Sequence, residues 1–229
     1  MTNTLSILKP SVNNLTVRIF VRAAGLDYEE LDVWGKKSTP EFLHKDPADL
    51  TPLLEEAGLP KGSLFESCAI MQYLCNKHGL DQFYPRDPAQ RAMVDSAMFY
   101  LIGTLYPLVA RATYPALAFG QYPGEVGSSD ANETLKTKAQ QDATAALAGP
   151  LNVYQQWFLD GKTFIGGPTP SIADIRLAAT LEFLRAIDYE LPAWAENYMT
   201  TIESTLGNAY TQPATDVRSY INHIKSQGA

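Results

Sequence analysis

The stretch Gly62-Ser63-Leu64-Phe65-Glu66-Ser67-Cys68-Ala69-Ile70-Met71-Gln72-Tyr73-Leu74 decides the fold class, because its hydrophobic period changes halfway along. Gly62 to Phe65 is a short apolar run that leaves a turn, Gly58-Leu59-Pro60-Lys61-Gly62, and reads as a strand. Ala69, Ile70, Tyr73 and Leu74 then recur at helical spacing, and Gly79 supplies a stop. Upstream of the turn, Pro52-Leu53-Leu54-Glu55 is a second short strand, so the pair predicts a hairpin. Further back, Tyr28 to Val33 mixes acidic and apolar residues as a strand with one wet face does. Val17, Ile19, Phe20, Val21, Ala23 and Ala24 follow mostly helical spacing up to Gly25, and Leu5 to Leu8 is an apolar run stopped by Pro10. The order β-α-β-α-β-β-α predicts an α/β layer closed by a hairpin.

Downstream the chain changes character. Asp81 to Pro88 is polar and punctuated by proline, as a linker is. Asp87, Pro88 and Gln90 form a helix start, with an N-cap, an N1 proline and a capping-box partner. Ala89 to Phe119 reads as one long helix kinked at Pro107 or Pro115, followed by a Gly/Ser/Pro loop from Gly120 to Ser129. Thr134 to Asp160 reads as a second long helix, broken at Gly149-Pro150. In Pro170-Ser171-Ile172-Ala173-Asp174, Ser171 can cap the amide three residues on while Asp174 reaches back, which starts a helix over Ile172 to Leu184. Two shorter helices are expected near Pro192 to Leu206 and Thr215 to Ser226. The predicted organisation is an α/β domain over residues 1–80, a linker over 81–88 and an all-helical domain over 89–229.

Composition narrows the function. The 229 residues are 45% hydrophobic and 19% charged, which suits a globular protein with a buried core. With 18 basic against 25 acidic residues the formal charge is -7, and no basic run occurs, so nucleic acid and anionic membranes are not expected partners. Met1 to Lys9 lacks the basic and apolar regions of a secretory signal, and no run approaches the roughly 18 apolar residues of a membrane span, so a soluble protein is expected. Cys68 and Cys75 lie two helical turns apart, too far to bridge, and read as small buried hydrophobes in a reducing cytoplasm. Cys75 and His78 have metal-ligand spacing, but no second ligand pair accompanies them, so no metal is expected.

Several segments resemble the cytosolic glutathione transferases, closest to the serine-type delta and theta classes. Leu64 to Leu74 resembles the family's Glu-Ser-x-Ala-Ile-x-x-Tyr-Leu helix start, and Leu50-Thr51-Pro52-Leu53-Leu54 resembles its cis-proline segment. Gly103-Thr104-Leu105-Tyr106 and Thr113-Tyr114-Pro115 resemble the fourth helix of delta-class members, and Pro170 to Leu177 resembles the buried capping box of the helical domain. The resemblance implies a thioredoxin-like N-terminal domain with a four-stranded mixed sheet that binds glutathione as co-substrate. It also implies an all-helical domain with a hydrophobic substrate pocket, a homodimer, and conjugation of small electrophiles in detoxification.

The chemistry asks for a particular donor. A thiol with a pKa of about 8.5 is only slightly ionised near neutrality, yet the thiolate is the nucleophile. Lowering that pKa by about two units needs about 2.7 kcal/mol of preferential thiolate stabilisation. One charge-assisted hydrogen bond from a hydroxyl beside a helix N-terminus is of that size. Ser11 lies there, after the first strand, and the resemblance puts it at the position of the family's catalytic serine. A plain helix cap is the other reading of Ser11, and Asn13, followed by Asn14, is a rival thiol donor.

Glu66 and Ser67 open a helix whose free amides and hydroxyl can hold a carboxylate while the glutamate pairs with an ammonium; the family places the γ-glutamyl end of glutathione here. The resemblance makes the Thr51–Pro52 bond cis and turns the Thr51 backbone towards the cysteinyl backbone of glutathione. The positions that should hold the glycine carboxylate are Asp49 and Leu50, a departure from the family pattern, so His44 or Lys45 would have to supply the charge. The resemblance lines the hydrophobic pocket with Tyr106 and Tyr114; Tyr100 and Phe119 are expected in the core, and Leu117 is open. A glutathione transferase is the expectation. A non-catalytic glutathione or ligand-binding regulator, or another glutathione enzyme (dehalogenase, peroxidase, isomerase, lignin-ether cleavage), remain the alternatives.

Overall fold

The structure, a computed structural model, describes residues 3–119 and 133–227; the loop expected from Gly120 to Ser129 lies outside them. Four strands form one mixed sheet in the order β2-β1-β3-β4. The buried run of β1 (Thr4–Ile7) pairs in parallel with β2 (Glu29–Asp32), Thr4 opposite Glu29, across the helix α1 (Val12–Ala23). On its other side β1 pairs antiparallel with β3 (Leu53–Glu55), which forms the expected hairpin with β4 (Ser63–Phe65). A short helix α2 (Pro40–Lys45), capped by the Thr39 side chain, intervenes between β2 and β3. α3 (Ser67–His78) follows β4 directly and ends at Gly79, whose φ of 64° gives the left-handed turn of a helix stop. The thioredoxin-like sheet with a helical continuation is thus the architecture expected from the sequence.

The helical part departs from the sequence reading where proline acts. α4 (Pro88–Tyr100) begins as expected, with the Asp87 carboxylate accepting the Gln90 amide at 2.9 Å. It runs through a π-helical turn (Leu101–Leu105) into α5 (Tyr106–Thr113), with the Tyr106 amide bonded back to the Leu101 carbonyl. Pro107 has no amide to donate, and the wide turn absorbs that defect just before it. The helix stops at Thr113, ahead of Pro115, rather than reaching Phe119. α6 (Glu133–Ala146) ends before α7 (Ala148–Val153), one turn earlier than the break expected at Gly149-Pro150. The ring of Pro150 conflicts with the carbonyl four residues back, which is that of Ala146. A second π-helical stretch (Tyr154–Leu159) extends α7. α8 (Ile172–Leu181) passes into a 3₁₀ turn (Glu182–Ile187), and α9 (Ala193–Leu206) follows. α10 (Asn208–Gln227) starts well before Thr215 and carries Pro213 inside it.

The expectation that no segment reaches membrane-spanning length is corrected by Pro88–Thr113, whose 26 residues are long and apolar enough. Its inner face, including Val94, Ala97, Leu101 and Leu105, is buried in the main core.

One continuous core joins sheet, α1, α3 and the helical part, with Phe20 of α1 edge-on to Phe83, between α3 and α4, at 5.6 Å. α1 packs against α3, α8 and α10, which makes it the shared element between the two halves. Both cysteines are buried and free, as expected. At the start of α8, Ser171 and Asp174 form the capping box, and the Asp174 carboxylate also accepts the amides of Ile165 at 2.7 Å and Gly166 at 3.1 Å. Gly166 has to be glycine: a Cβ there would lie 2.8 Å from both Ser171 Cβ and the Thr169 carbonyl oxygen.

Candidate functional site

β1 ends at Ile7, the chain turns through Lys9 and Pro10, and the residue before α1 is Ser11, in extended backbone (φ −80°, ψ 129°). Its hydroxyl makes no capping hydrogen bond, so the plain-cap reading does not hold; its carbonyl begins the helix by accepting the Leu15 amide at 2.8 Å. Ser11 opens on a cavity of about 320 Å³. The wall brings Ser11, Asn13 and Thr51 from the sheet side together with Tyr114 and Phe119 from the chain beyond α5. The Thr51–Pro52 peptide is cis. Buried Asn14 donates to the Thr51 hydroxyl at 3.0 Å and so ties α1 to the segment before β3.

Asn13 is differently placed. Its amide nitrogen donates to the Tyr106 hydroxyl at 2.9 Å, and its carbonyl oxygen accepts Arg176 at 2.6 Å. The Tyr106 and Tyr114 hydroxyls lie 2.7 Å apart. Tyr114 is on the cavity wall, while Tyr106 stands one hydrogen bond behind it. Burial, reinforced by the neighbouring Tyr106 hydroxyl, pushes the Tyr114 pKa well up, so this phenol keeps its hydrogen. Phe119 packs edge-on to Tyr114 at 5.2 Å and lines the cavity, although the sequence suggested a core role. Tyr100 packs on Tyr154 and Phe158, and Leu117 is fully buried.

Glu66 and Ser67 stand at the start of α3, off the cavity wall. Glu66 is the N-cap at φ 74° and ψ 109°, a conformation that side chains rarely adopt, and it makes no capping hydrogen bond. The Glu66 side chain is exposed, whereas Ser67 beside it is buried. The cationic candidates separate. Lys45 is paired with Glu55 at 2.8 Å, and neither it nor exposed His44 reaches the cavity wall. Asp49 turns away: its carboxylate accepts the Ser38 amide at 2.9 Å and hydroxyl at 2.5 Å, and these bonds hold its pKa below the usual carboxylate range.

Sequence reasoning missed Lys37 and Trp34, both on the wall. They sit in the short run Trp34-Gly35-Lys36-Lys37, where a large aromatic next to glycine in a polar loop was the available signal. Trp34 is 54% exposed, and its ring lies 6.1 Å from that of Tyr220 in α10.

Comparison with known proteins identifies the family and the fold. Residues 2–76 match the glutathione S-transferase N-terminal domain family and residues 138–206 its C-terminal domain family. Glutathione S-transferase D6 of Drosophila melanogaster is 27% identical over 185 residues, covering 79% of this chain and 77% of the fly protein. The structure of a Bombyx mori glutathione transferase, BmGSTD1, superposes with a TM-score of 0.74 at 26% identity, covering 99% of this chain and 97% of that one. A delta-class glutathione transferase of Nilaparvata lugens gives 0.73 at 26% identity, covering 97% and 99%.

Proposed function

The chain belongs to the glutathione S-transferase family and is a delta-like glutathione transferase; from that premise we propose that it activates the thiol of glutathione at Ser11 for attack on a hydrophobic electrophile. The observation that carries this reading is the shared cavity, where a hydroxyl with no capping bond, at the mouth of α1, faces aromatic side chains from beyond α5. Ser11 is preferred over Asn13 because its hydroxyl is uncapped, whereas the Asn13 amide is already held by one N–H to Tyr106 and by its oxygen to Arg176.

Glutathione lies along the sheet side of the cavity in this reading. Its γ-glutamyl carboxylate meets the Ser67 hydroxyl and the N-terminal amides of α3, and its ammonium meets Glu66. The backbone of Thr51 pairs with the cysteinyl unit as an added strand would. Lys37, rather than His44 or Lys45, holds the glycine carboxylate, since it is the cation on the cavity wall. The thiol loses its proton to solvent, Ser11 donates to the thiolate, and the α1 dipole adds to that stabilisation. Attack then occurs on an electrophile held against Tyr114 and Phe119, with positioning and thiolate stabilisation supplying the rate. The domain division at 1–80, 81–88 and 89–229, a cytoplasmic location and a role in disposing of reactive electrophiles belong to the same reading. So does a homodimer, supported by the exposed apolar residues Met93, Phe99 and Ile102 along α4 and the π turn.

The test is calorimetric titration with glutathione, followed by an ultraviolet pH titration of the bound thiolate. A bound thiol pKa clearly below that of free glutathione, returning towards it in Ser11→Ala and not in Asn13→Ala, supports the reading. Binding with an unshifted pKa points to a carrier or regulator instead. Loss of the shift in Asn13→Ala alone moves the donor to Asn13.

A further inference from the structure

A second cavity, of about 660 Å³, lies between the π-helical stretch after α7 and the face of α9, and it shares no wall residue with the Ser11 cavity. From α9 it takes Trp194, Asn197, Tyr198 and Thr201, the i, i+3, i+4 and i+7 positions of one helical stripe. The opposite wall is built by the wide turn itself. The Asp160 amide donates to the Gln155 carbonyl at 3.2 Å, an i to i+5 bond, and Asp160 closes the stretch in the left-handed conformation at φ 45°. No proline lies within the stretch or in the turn after it, so the local chain does not force this widening as Pro107 does in α5. Wide turns of this kind concentrate where side chains are re-aimed for a function. Here the re-aimed side chains are Gln155, Gln156 and Asp160, all on the cavity wall.

The wall consists of unspent hydrogen-bonding groups around one aromatic ring. Among the described residues, the side chains of Gln155, Gln156, Asp160, Lys162 and Asn197 are exposed and have no hydrogen-bond or ion-pair partner. Trp194 is half-buried and braced by Tyr198, with ring centroids 6.3 Å apart, and the Tyr198 hydroxyl is itself fixed on Asp174 at 2.8 Å. The indole is thus held in place before any ligand arrives. Asp160 and Lys162 cancel in charge, so the wall selects neither an anion nor a cation. A ligand apolar throughout would strip water from the amides of Gln155, Gln156 and Asn197 and return no hydrogen bond. The complement is a molecule with an apolar face and a rim of groups that both donate and accept. A sugar ring has that form: its C–H face stacks on an indole, and neighbouring hydroxyls pair with the two ends of an amide or with a carboxylate. Gln155 and Trp194 also border an adjoining cavity of about 580 Å³, walled in part by Leu151, Asn152 and Leu191, which leaves room for a second unit.

We propose that this cleft is a binding site for a neutral saccharide, with one pyranose ring stacked on Trp194 and its hydroxyls held by Gln155, Asp160 and Asn197. No bond is made or broken there. The site does not depend on the glutathione reading, because a sugar held between α7 and α9 leaves the Ser11 cavity open.

The test is saturation-transfer NMR on the whole protein, with methyl β-glucoside, methyl β-galactoside, methyl α-mannoside, methyl β-N-acetylglucosaminide, maltose, cellobiose and lactose as probes. At least one should bind with a Kd of about 1 mM, the strength of one stacked ring and a few exchanged hydrogen bonds. Saturation should be greatest at the C–H protons of one ring face. Gln155→Ala and Asn197→Ala, both at exposed positions, should each weaken binding by about fivefold, the loss of one hydrogen bond, and leave glutathione affinity unchanged. Trp194→Ala should abolish sugar binding; if the loss of its packing on Tyr198 unfolds the protein, the Gln155 and Asn197 variants decide. No binding of any probe at about 20 mM, well above the expected Kd, overturns the proposal. So does binding that Gln155→Ala and Asn197→Ala both leave unchanged, or displacement of the sugar by glutathione, which would put it in the Ser11 cavity. A protein that binds the sugar and not glutathione would bring down the function proposed above and leave this site standing.

Discussion

Ser171 and Asp174 close on each other twice: the amide of Ser171 donates to Asp174 Oδ2 at 2.8 Å and its hydroxyl to the same oxygen at 2.6 Å. The carboxylate also takes the amides of Ile165 and Gly166 and the Tyr198 hydroxyl, so one side chain gathers α8, α9 and the loop before them. Burial raises the Asp174 pKa, and the hydrogen bonds from Ser171 and Ile165 oppose that rise.

Ser171→Ala should therefore cost about 0.5–2 kcal/mol of stability, as loss of a cap does. Asp174→Ala should cost about 3 kcal/mol or more, because several buried donors lose their acceptor together. Thermal unfolding checks both, and kcat at a temperature where each variant stays folded should be nearly unchanged. Gly166→Ala should also lower the midpoint, since its Cβ would meet backbone and not a flexible side chain.

Lys37→Ala should weaken glutathione binding by about tenfold, the worth of one charge-assisted hydrogen bond, with a smaller change in kcat. Lys45→Ala should leave affinity within about twofold, because that ammonium is spent on an exposed pair with Glu55. Calorimetry on the two variants side by side distinguishes them. The opposite order would return the glycine carboxylate to α2.

Ser67→Ala should weaken glutathione binding by about fivefold or more without shifting the bound thiol pKa, since it removes a contact to the γ-glutamyl end alone. An unchanged dissociation constant takes Ser67 out of the site. The same titration on Ser11→Ala should show the reverse pattern.

Acid should loosen the C-terminal helices through Glu182. Burial would raise its pKa, but hydrogen bonds from Arg218 and Tyr210 and the nearby Arg185 charge outweigh that, and the net shift is downward. Glu56 is lowered in the same way, by Lys77, Tyr28 and Tyr73 against burial. A carboxyl with a depressed folded pKa contributes stability above its unfolded value of about 4.3, and that stability is lost as pH falls through the folded value. Glu182→Gln should therefore lower stability by about 3 kcal/mol at neutral pH. The deficit against wild type should shrink steadily below about pH 4, where the wild-type carboxyl protonates as well. Denaturant unfolding across that pH range measures it. A deficit constant with pH would mean that packing, and not charge, is what the glutamate supplies.

The sequence by itself determined what neighbours a few residues apart can settle. The hairpin at Gly58–Gly62, the Asp87 cap, the Ser171–Asp174 box and the helical stripe of α3 all follow from contacts within about one turn of chain. The break after Ala146 was within reach too, since Pro150 acts four residues back. Only the tertiary structure decided which polar groups meet. Asn13 and Arg176 are 163 positions apart, and their bond depends on α8 packing against α1. Lys37 reaches the cavity while Lys45 turns to Glu55, a choice made by how the segment between β2 and β3 folds over the sheet. That the Ser11 hydroxyl is uncapped and lies on a cavity whose far wall comes from beyond α5 is likewise visible only in the fold. Local periodicity encodes elements, because one turn of chain holds the interacting groups. A site is encoded by packing, which brings together side chains whose separation along the chain carries no signal of it.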